Sequence, residues 1–380
     1  MKILITSGIF PPDIGGPASY VPKIASALSN RGHDVSVICL SESVDTINEP
    51  YEFKVKRIPR NMFYFFRILR TIYFTYLAAK KVDVIFANTL DAESAIAAFL
   101  ARKPVVNKIV GDYAWERASN KGYYNETIEK YQTDVKRKIG LYFFDWITKL
   151  PYKYVDKIIV PSRFSQKLVS GWKAASKKNI SIIYNSIDLS KIDSILPSPK
   201  SNSFTWVTIC RLTNFKGVDE ILKQLIKFPN DNLKIIGDGP LSFYLKKLCT
   251  ELNLESRVKF CGNLSYFETI GELKSADVFI LNSKGENFPN VILEAMACRV
   301  PVICTDVGGC SEIVEHLKTG FLIQLSEENQ NIFQGLKLIR ENKNLRDIIV
   351  DTSFNIIKKD FSFDQMVSET ENVFLECVAN

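Results

Sequence analysis

Short runs of β-branched and other apolar residues recur along the chain, separated by longer stretches in which apolar positions return every three or four residues. The first half shows KILITS, DVSVICL, DVIFAN, PVVNKIV and KIIVPS; the second shows TWVTIC, LKIIGDG, RVKFCG, DVFILN, PVICTD and GFLI. Runs of this length read as strands buried on both faces, and helical stretches between them make the strands parallel through βαβ crossovers. Between SIIYNSIDL and TWVTIC lies SKIDSILPSPKSNS, rich in Ser and Pro, after which the alternation restarts. That composition places a boundary near residues 186–203. Each half opens with a strand, a loop and an amphipathic helix, as in VPKIASALSNRGHDVSVI and VDEILKQLIKF. The pattern predicts an α/β protein of two Rossmann-like, doubly wound domains facing an interdomain cleft, one over 1–188 and one over 189–361. Ligands of such sheets sit at the carboxyl ends of strands, so chemistry is expected in the loops after ILITS, VTIC, IIGDG and FILNS.

Composition narrows the class. With 380 residues, 46% of them hydrophobic, the chain has material for two cores, which excludes a disordered or fibrous protein. The net charge of +7 is unevenly spread, at +12 over residues 1–200 and −5 over 201–380, so the first half faces an acidic partner or surface. The eight cysteines form no CxxC pair and only two histidines accompany them, so no metal site is expected. Several cysteines sit in apolar runs, which suits a reducing cytosol. The opening MKILITSGIFPP ends in Pro11, Pro12 and Asp13 and reads as a buried strand rather than a signal peptide. No uncharged stretch reaches the ~18–20 residues of a membrane span.

The strongest chemical signal is SKGENFPNVILEAMACRVPVICTDVGG. Pro289 and Asn290 mark a helix start, which places Glu286 on the preceding loop and Glu294 one turn into the helix. The free backbone N–H groups of Asn290 and Val291 between them would attract a phosphate. The two carboxylates must then point past that anion towards hydroxyl groups, the layout of a sugar nucleotide. A surface Glu before a helix and another in its first turn would look similar in isolation. In CRLTNFKGVDEIL, Arg211 closes a strand and Lys216 opens the next helix, so both can neutralise one anion in the cleft. The turn IIGDGPL, with Gly239, leaves room for a flat base against the backbone. In FPPDIGGPASYV, Gly15 and Gly16 precede a helix beginning near Ala18 and permit close approach to a phosphate or sugar, or make an ordinary strand-to-helix turn. The dinucleotide fingerprint GxGxxG is absent, which removes support for hydride transfer.

Together these strings, with VPSRFSQKLV, IYNSIDL and VKFCGN, resemble the family 4 retaining glycosyltransferases of the type B (GT-B) fold, from Met1 to about Asp360. The resemblance implies that Arg211 and Lys216 hold the donor diphosphate and Glu294 the ribose hydroxyls. It implies that Glu286 touches the transferred sugar and that the backbone of Phe288, Pro289, Asn290 and Val291 completes the site. It also implies that the last helix, about 362–380, crosses back onto the N-terminal domain. Where the family often carries a His, this chain reads VNKIVGDYAWERA. Asp112 there contacts the sugar or acceptor, caps a helix, or pairs with Arg117. Retention follows the family: the acceptor attacks on the face that the nucleotide leaves, and a phosphate oxygen accepts its proton.

Residues 53–81 carry eight Lys or Arg and no acid. On a helix from about Asn61 to Ala79, Arg60, Arg67 and Arg70 share a face, with Phe63, Phe66, Tyr73 and Phe74 as apolar bulk. This segment suits an anionic membrane surface; alternatively its aromatics pack on the sheet and its charges are solvated. No nucleic-acid module is present. The expectation is a cytoplasmic transferase, peripheral on the inner face of the cell membrane, in surface polysaccharide or glycoconjugate biosynthesis. It moves a hexose-type sugar from a UDP- or GDP-sugar to a lipid-linked or glycan acceptor, without metal or a further cofactor. A sugar-nucleotide epimerase of the same fold is disfavoured by the lack of N-domain acid/base histidines. A non-catalytic sugar-nucleotide-binding protein would bind donor without turnover.

Overall fold

A computed structural model describes the chain apart from residues 14, 43–50, 125, 135, 326, 327 and 380, and apart from the side chains of 328–331. Residue 14, inside the Gly15–Gly16 loop sequence, is thus outside the described residues. The chain divides into two compact units, Met1–Tyr184 with Asp364–Asn380, and Asn185–Phe363.

The first unit is built on a parallel sheet of β1 (Lys2–Ser7), β2 (Asp34–Ser41), β3 (Lys54–Pro59), β4 (Val84–Asn88), β5 (Val105–Lys108), β6 (Lys157–Val160) and β7 (Asn179–Ile182). Their order is β3-β2-β1-β4-β5-β6-β7. Central strands are buried along their whole length, as β-branched runs without alternating polar residues require. Within β4, Ile85 and Ala87 pack with Ala95 and Ala98 of helix Asp91–Ala101. The alternate Phe86 meets Tyr20 edge-on and Phe374 at a tilt, from helices Gly16–Asn30 and Phe363–Ala379. Helices therefore cover both faces, and the carboxyl ends of β1, β4 and β5 are aligned, with Ser7 opposite Asn88 and Asn88 opposite Lys108.

The second unit repeats the plan with β8 (Thr205–Ile209), β9 (Asn232–Ile236), β10 (Val258–Gly262), β11 (Val278–Leu281), β12 (Val302–Thr305) and β13 (Phe321–Ile323). The order is β10-β9-β8-β11-β12-β13, again all parallel. Helix Val218–Leu225 buries Val218, Ile221, Leu222 and Leu225 on one stripe against this sheet. Strand order reverses between β1 and β4 and between β8 and β11, and the crevice beyond such a switch point is where these sheets take ligands.

The basic segment differs from its sequence expectation. Residues Lys54–Pro59 form an edge strand with Lys54 and Lys56 turned to solvent, and the helix begins only at Tyr64. An edge strand tolerates this charge because one side needs no partner. Arg60 lies before the helix and so shares no face with Arg67 and Arg70; it pairs with Asp13 and donates to the Gly8 carbonyl at 2.9 Å. Helix Tyr64–Ala79 buries only Thr71, Thr75 and Ala79, while Phe63, Phe65, Phe66 and Tyr73 are each more than half exposed. Packing of these aromatics on the sheet is therefore overturned, save for the partly buried Phe74, which Lys56 Nζ covers at 3.5 Å. No helix among the described residues is long and apolar enough to cross a membrane.

The C-terminal helix is tied into the first unit through Glu371, which accepts from Arg31 at 2.9 Å and contacts His33 at 2.7 Å. The hydrogen bonds from Arg31 and His33 hold the Glu371 carboxyl below its usual range. A depressed carboxylate stabilises the fold above its unfolded pKa and loses that contribution as pH falls through the folded value. Glu371→Gln should lower Tm at neutral pH, and the gap to the unsubstituted protein should close below about pH 4, near the unfolded Glu value. Melting curves across pH check this; a constant gap would refute it.

Candidate functional site

In the second unit, three strand-end loops meet where backbone crowding demands glycine. Gly217, at φ +55°, ends the Asn214–Lys216 turn after β8, and a Cβ there would lie 2.4 Å from the Asn282 carbonyl oxygen. The contact is held by Asn282 Nδ2 donating to the Gly217 carbonyl at 3.1 Å and by Lys284 N donating to the Phe215 carbonyl at 2.7 Å. Gly308, at φ +56°, brings the loop after β12 against the same segment, where a Cβ would stand 1.6 Å from the Glu286 carbonyl oxygen. Gly309 N donates to that oxygen at 3.2 Å.

These approaches bring Lys216 and Glu286 together. Lys216 Nζ forms an ion pair with Glu286 Oε1, which also accepts from Ser283 Oγ at 2.6 Å, and both charged side chains are largely buried. Burial acts to lower the Lys216 pKa, but the Glu286 carboxylate outweighs it and holds the ammonium above its usual 10.5. Lys216 therefore stays charged through the neutral range. It ends a 3-10 turn rather than opening the helix, which starts at Val218. Arg211, by contrast, is exposed on the loop after β8 and forms no ion pair among the described residues. Sequence reasoning missed Ser283 and Thr305; Thr305 Oγ1 donates to the Ser283 carbonyl at 2.5 Å and holds the loop from beneath. Only the polar residues ending FILNS and PVICTD signalled them.

Helix Asn290–Ala297 follows at once. Its N-cap, Pro289, makes no side-chain cap, so the first N–H groups are not claimed by a capping side chain. Phe288 is buried against Phe361, with ring centroids 6.0 Å apart, and fixes the entry to the helix. Asn290 Oδ1 accepts from Asn185 Nδ2 at 2.9 Å, Val291 is half-buried, and Glu294 lies one turn in, beside Tyr266. Burial first, and then the Glu294 charge, push the Tyr266 hydroxyl above its ordinary value. An uncapped helix N-terminus can hold an anion, with Glu286 four residues before the first helical residue and Glu294 four residues after it.

Two expectations change. Gly239 does not leave space for a base on the side its Cβ would occupy, because Leu212 backbone atoms stand 2.5 to 2.9 Å away. Its role is to lock the β9 loop to residues 210–212, with Leu212 N donating to the Asp238 carbonyl at 3.1 Å. Asp112, in the first unit, is 1% exposed. Its Oδ1 caps helix Tyr113–Asn120 by accepting from Ala114 N and Trp115 N, and its Oδ2 lies 2.8 Å from Lys149 Nζ, not against Arg117. With Oδ1 in the cap, Oδ2 paired with the Lys149 ammonium and almost no exposure, Asp112 takes the helix-capping role. Gly15 and Gly16, also in the first unit, start helix Gly16–Asn30 without a side-chain cap; a Cβ on Gly16 would meet nothing within 4 Å.

Two parallel α/β sheet units of this strand order are the architecture of a GT-B glycosyltransferase. Two family models match, Glycosyltransferase Family 4 over residues 14–191 and Glycosyl transferases group 1 over 195–354, and the chain belongs to the family 4 glycosyltransferases. An uncharacterized glycosyltransferase of Methanocaldococcus jannaschii is 27% identical over 256 residues, so that the match spans 64% of each chain. The UDP-Gal:alpha-D-GlcNAc-diphosphoundecaprenol alpha-1,3-galactosyltransferase of Escherichia coli is 25% identical over 382 residues, 93% of this chain and 92% of that one. The crystal structure of Anabaena HepE in complex with UDP shares the fold, with a TM-score of 0.77, 23% identity, and coverage of 99% of this chain and 100% of that one.

Gly308→Ala should cost on the order of 2 kcal/mol or more, since backbone meets backbone at a positive φ. Gly16→Ala should stay within about 0.5 kcal/mol. Urea unfolding compares the two; equal values would refute the crowding argument. Asp112→Asn keeps the cap but removes the Lys149 pair, and should destabilise by up to about 3 kcal/mol while leaving donor turnover per folded molecule unchanged. A loss of turnover at full stability would return Asp112 to the chemistry.

Proposed function

We propose that this transferase is retaining and moves a hexose-type sugar from a UDP- or GDP-sugar to a lipid-linked or glycan acceptor in surface polysaccharide or glycoconjugate biosynthesis. The single observation that carries the reading is the buried Lys216–Glu286–Ser283 group beside the uncapped start of helix Asn290–Ala297. In this reading Arg211, Lys216 and the amides of Asn290 and Val291 neutralise the donor diphosphate, and Glu294 holds the ribose hydroxyls. Glu286, whose Oε1 is shared between Lys216 and Ser283, presents its remaining oxygen to the sugar. As the bond from the anomeric carbon to the phosphate oxygen breaks, the acceptor oxygen bonds to the same face. The acceptor proton passes to the departing phosphate oxygen, so no protein base is required. The growing negative charge is met by cations and amides already in place, and the reading calls on no metal.

The names of the similar proteins support the substrate classes, since one acts on a diphosphoundecaprenol-linked sugar with UDP-Gal and another binds UDP. A lipid-linked acceptor also suits the exposed aromatics of helix Tyr64–Ala79 and the basic residues of 53–81, which we assign to an anionic membrane surface on the cytoplasmic side.

Thermal-shift screening of UDP- and GDP-sugars should raise Tm for the unsubstituted protein, with the shift reduced at least tenfold in apparent affinity by Arg211→Ala and by Glu294→Ala. Equal stabilisation of all three would sink the site assignment. Stabilisation without any slow donor hydrolysis would favour a binding protein over a transferase.

A further inference from the structure

The first unit carries a second group of exposed apolar side chains, distant in sequence from 53–81. Helix Ile139–Lys149 turns Leu141, Phe144 and Lys149 inward, while Ile139, Phe143, Trp146 and Ile147 are 88%, 63%, 58% and 47% exposed. These four recur at helical spacing and form one stripe. Beside the stripe, between this helix and Tyr113–Asn120, opens a hollow of about 420 Å³ lined by Arg117, Lys121, Tyr123, Lys138, Leu141 and Phe144. The lining contains three cations and no acid. None of the three has an ion-pair partner among the described residues. Arg117 is held over the Phe144 ring at 5.0 Å and donates to the Tyr113 hydroxyl at 3.2 Å, so its guanidinium is positioned with donors to spare.

An occupant must satisfy unpaired cations and an apolar stripe at once. A free nucleotide or nucleic acid meets the cations but leaves the aliphatic side chains in water. An anionic bilayer meets both, because phosphates lie at the level of the basic residues and the acyl boundary takes Trp, Phe and Ile below them. We propose that the hollow between helices Tyr113–Asn120 and Ile139–Lys149 seats the phosphate of an anionic bilayer lipid, while Ile139, Phe143, Trp146 and Ile147 enter the acyl boundary. The surface continues through Tyr154, whose ring lies 6.2 Å from Phe99, to helix Asp91–Ala101 and the neighbouring helix Tyr64–Ala79. The inference rests on the membrane assignment of the first unit and is independent of donor, sugar and acceptor.

Trp146 is a built-in reporter. The chain has four tryptophans, and the other three, Trp115, Trp172 and Trp206, are buried at 4%, 4% and 0% exposure. The full chain, mixed with vesicles of equal phosphatidylglycerol and phosphatidylcholine, should show blue-shifted emission that brominated acyl chains quench. Phosphatidylcholine alone should give neither effect, and Trp146→Phe should remove both. The double variant Arg117→Gln, Lys121→Gln should need on the order of thirtyfold more anionic lipid for half-binding, with circular dichroism and donor hydrolysis without vesicles unchanged. Co-sedimentation with unmoved Trp146 emission would overturn the proposal and leave contact to 53–81 alone. Equal lipid affinity of the double variant, or no vesicle binding at all, would also overturn it. Failure of donor binding shows in hydrolysis and leaves the Trp146 signal intact, so the two readings fail separately.

Discussion

The second unit of this molecule depends on how closely backbones approach one another at the ends of parallel strands. Added Cβ atoms at Gly217, Gly237, Gly239 and Gly308 would stand 2.4, 2.1, 2.5 and 1.6 Å from backbone oxygens of neighbouring loops. No side chain fits at those separations. The loops after β8, β9, β11 and β12 are therefore one body, and that body allows Lys216 and Glu286 to meet out of water. A buried pair of this kind stabilises a fold little, because desolvation offsets most of the attraction. Its value lies in position: a lysine held charged and a glutamate with one oxygen committed and the other available.

The two units use charge differently. The second half of the sequence is acidic overall, so its net field does not attract anions, and its locally positive features are an exposed arginine, Arg211, and uncapped helix amides. The first half is basic, and the positive charge falls beside exposed aromatic and aliphatic side chains on helices Tyr64–Ala79 and Ile139–Lys149. Apolar groups that a core would bury stand in solvent there. The cost of leaving them exposed points to a surface completed by something other than the chain itself.

Much of the architecture was legible along the chain because parallel strands buried on both faces read as unbroken apolar runs, and among the described residues eleven of the thirteen strands coincide with such runs while β7 overlaps the start of SIIYNSIDL. The exception, Lys54–Pro59, alternates charge with apolar residues at the edge of its sheet and read as part of a basic helix approach. The helix start at Pro289 and Asn290 was legible for a local reason, since capping and proline geometry are set within a few residues. The glutamates on either side of it could be placed from the same local geometry.

What the sequence by itself determined were features of short range: strand runs, helix starts, the break between the halves and the uneven charge. Only the tertiary structure decided the partners of polar side chains, because those partners lie tens of residues away. Asp112 found Lys149, Lys216 found Glu286, and Arg60 found Asp13 and the Gly8 carbonyl. It also decided which apolar residues were left over: helix Ile139–Lys149 has the pattern of any core-facing helix, and only packing shows that Ile139, Phe143 and Trp146 face outward.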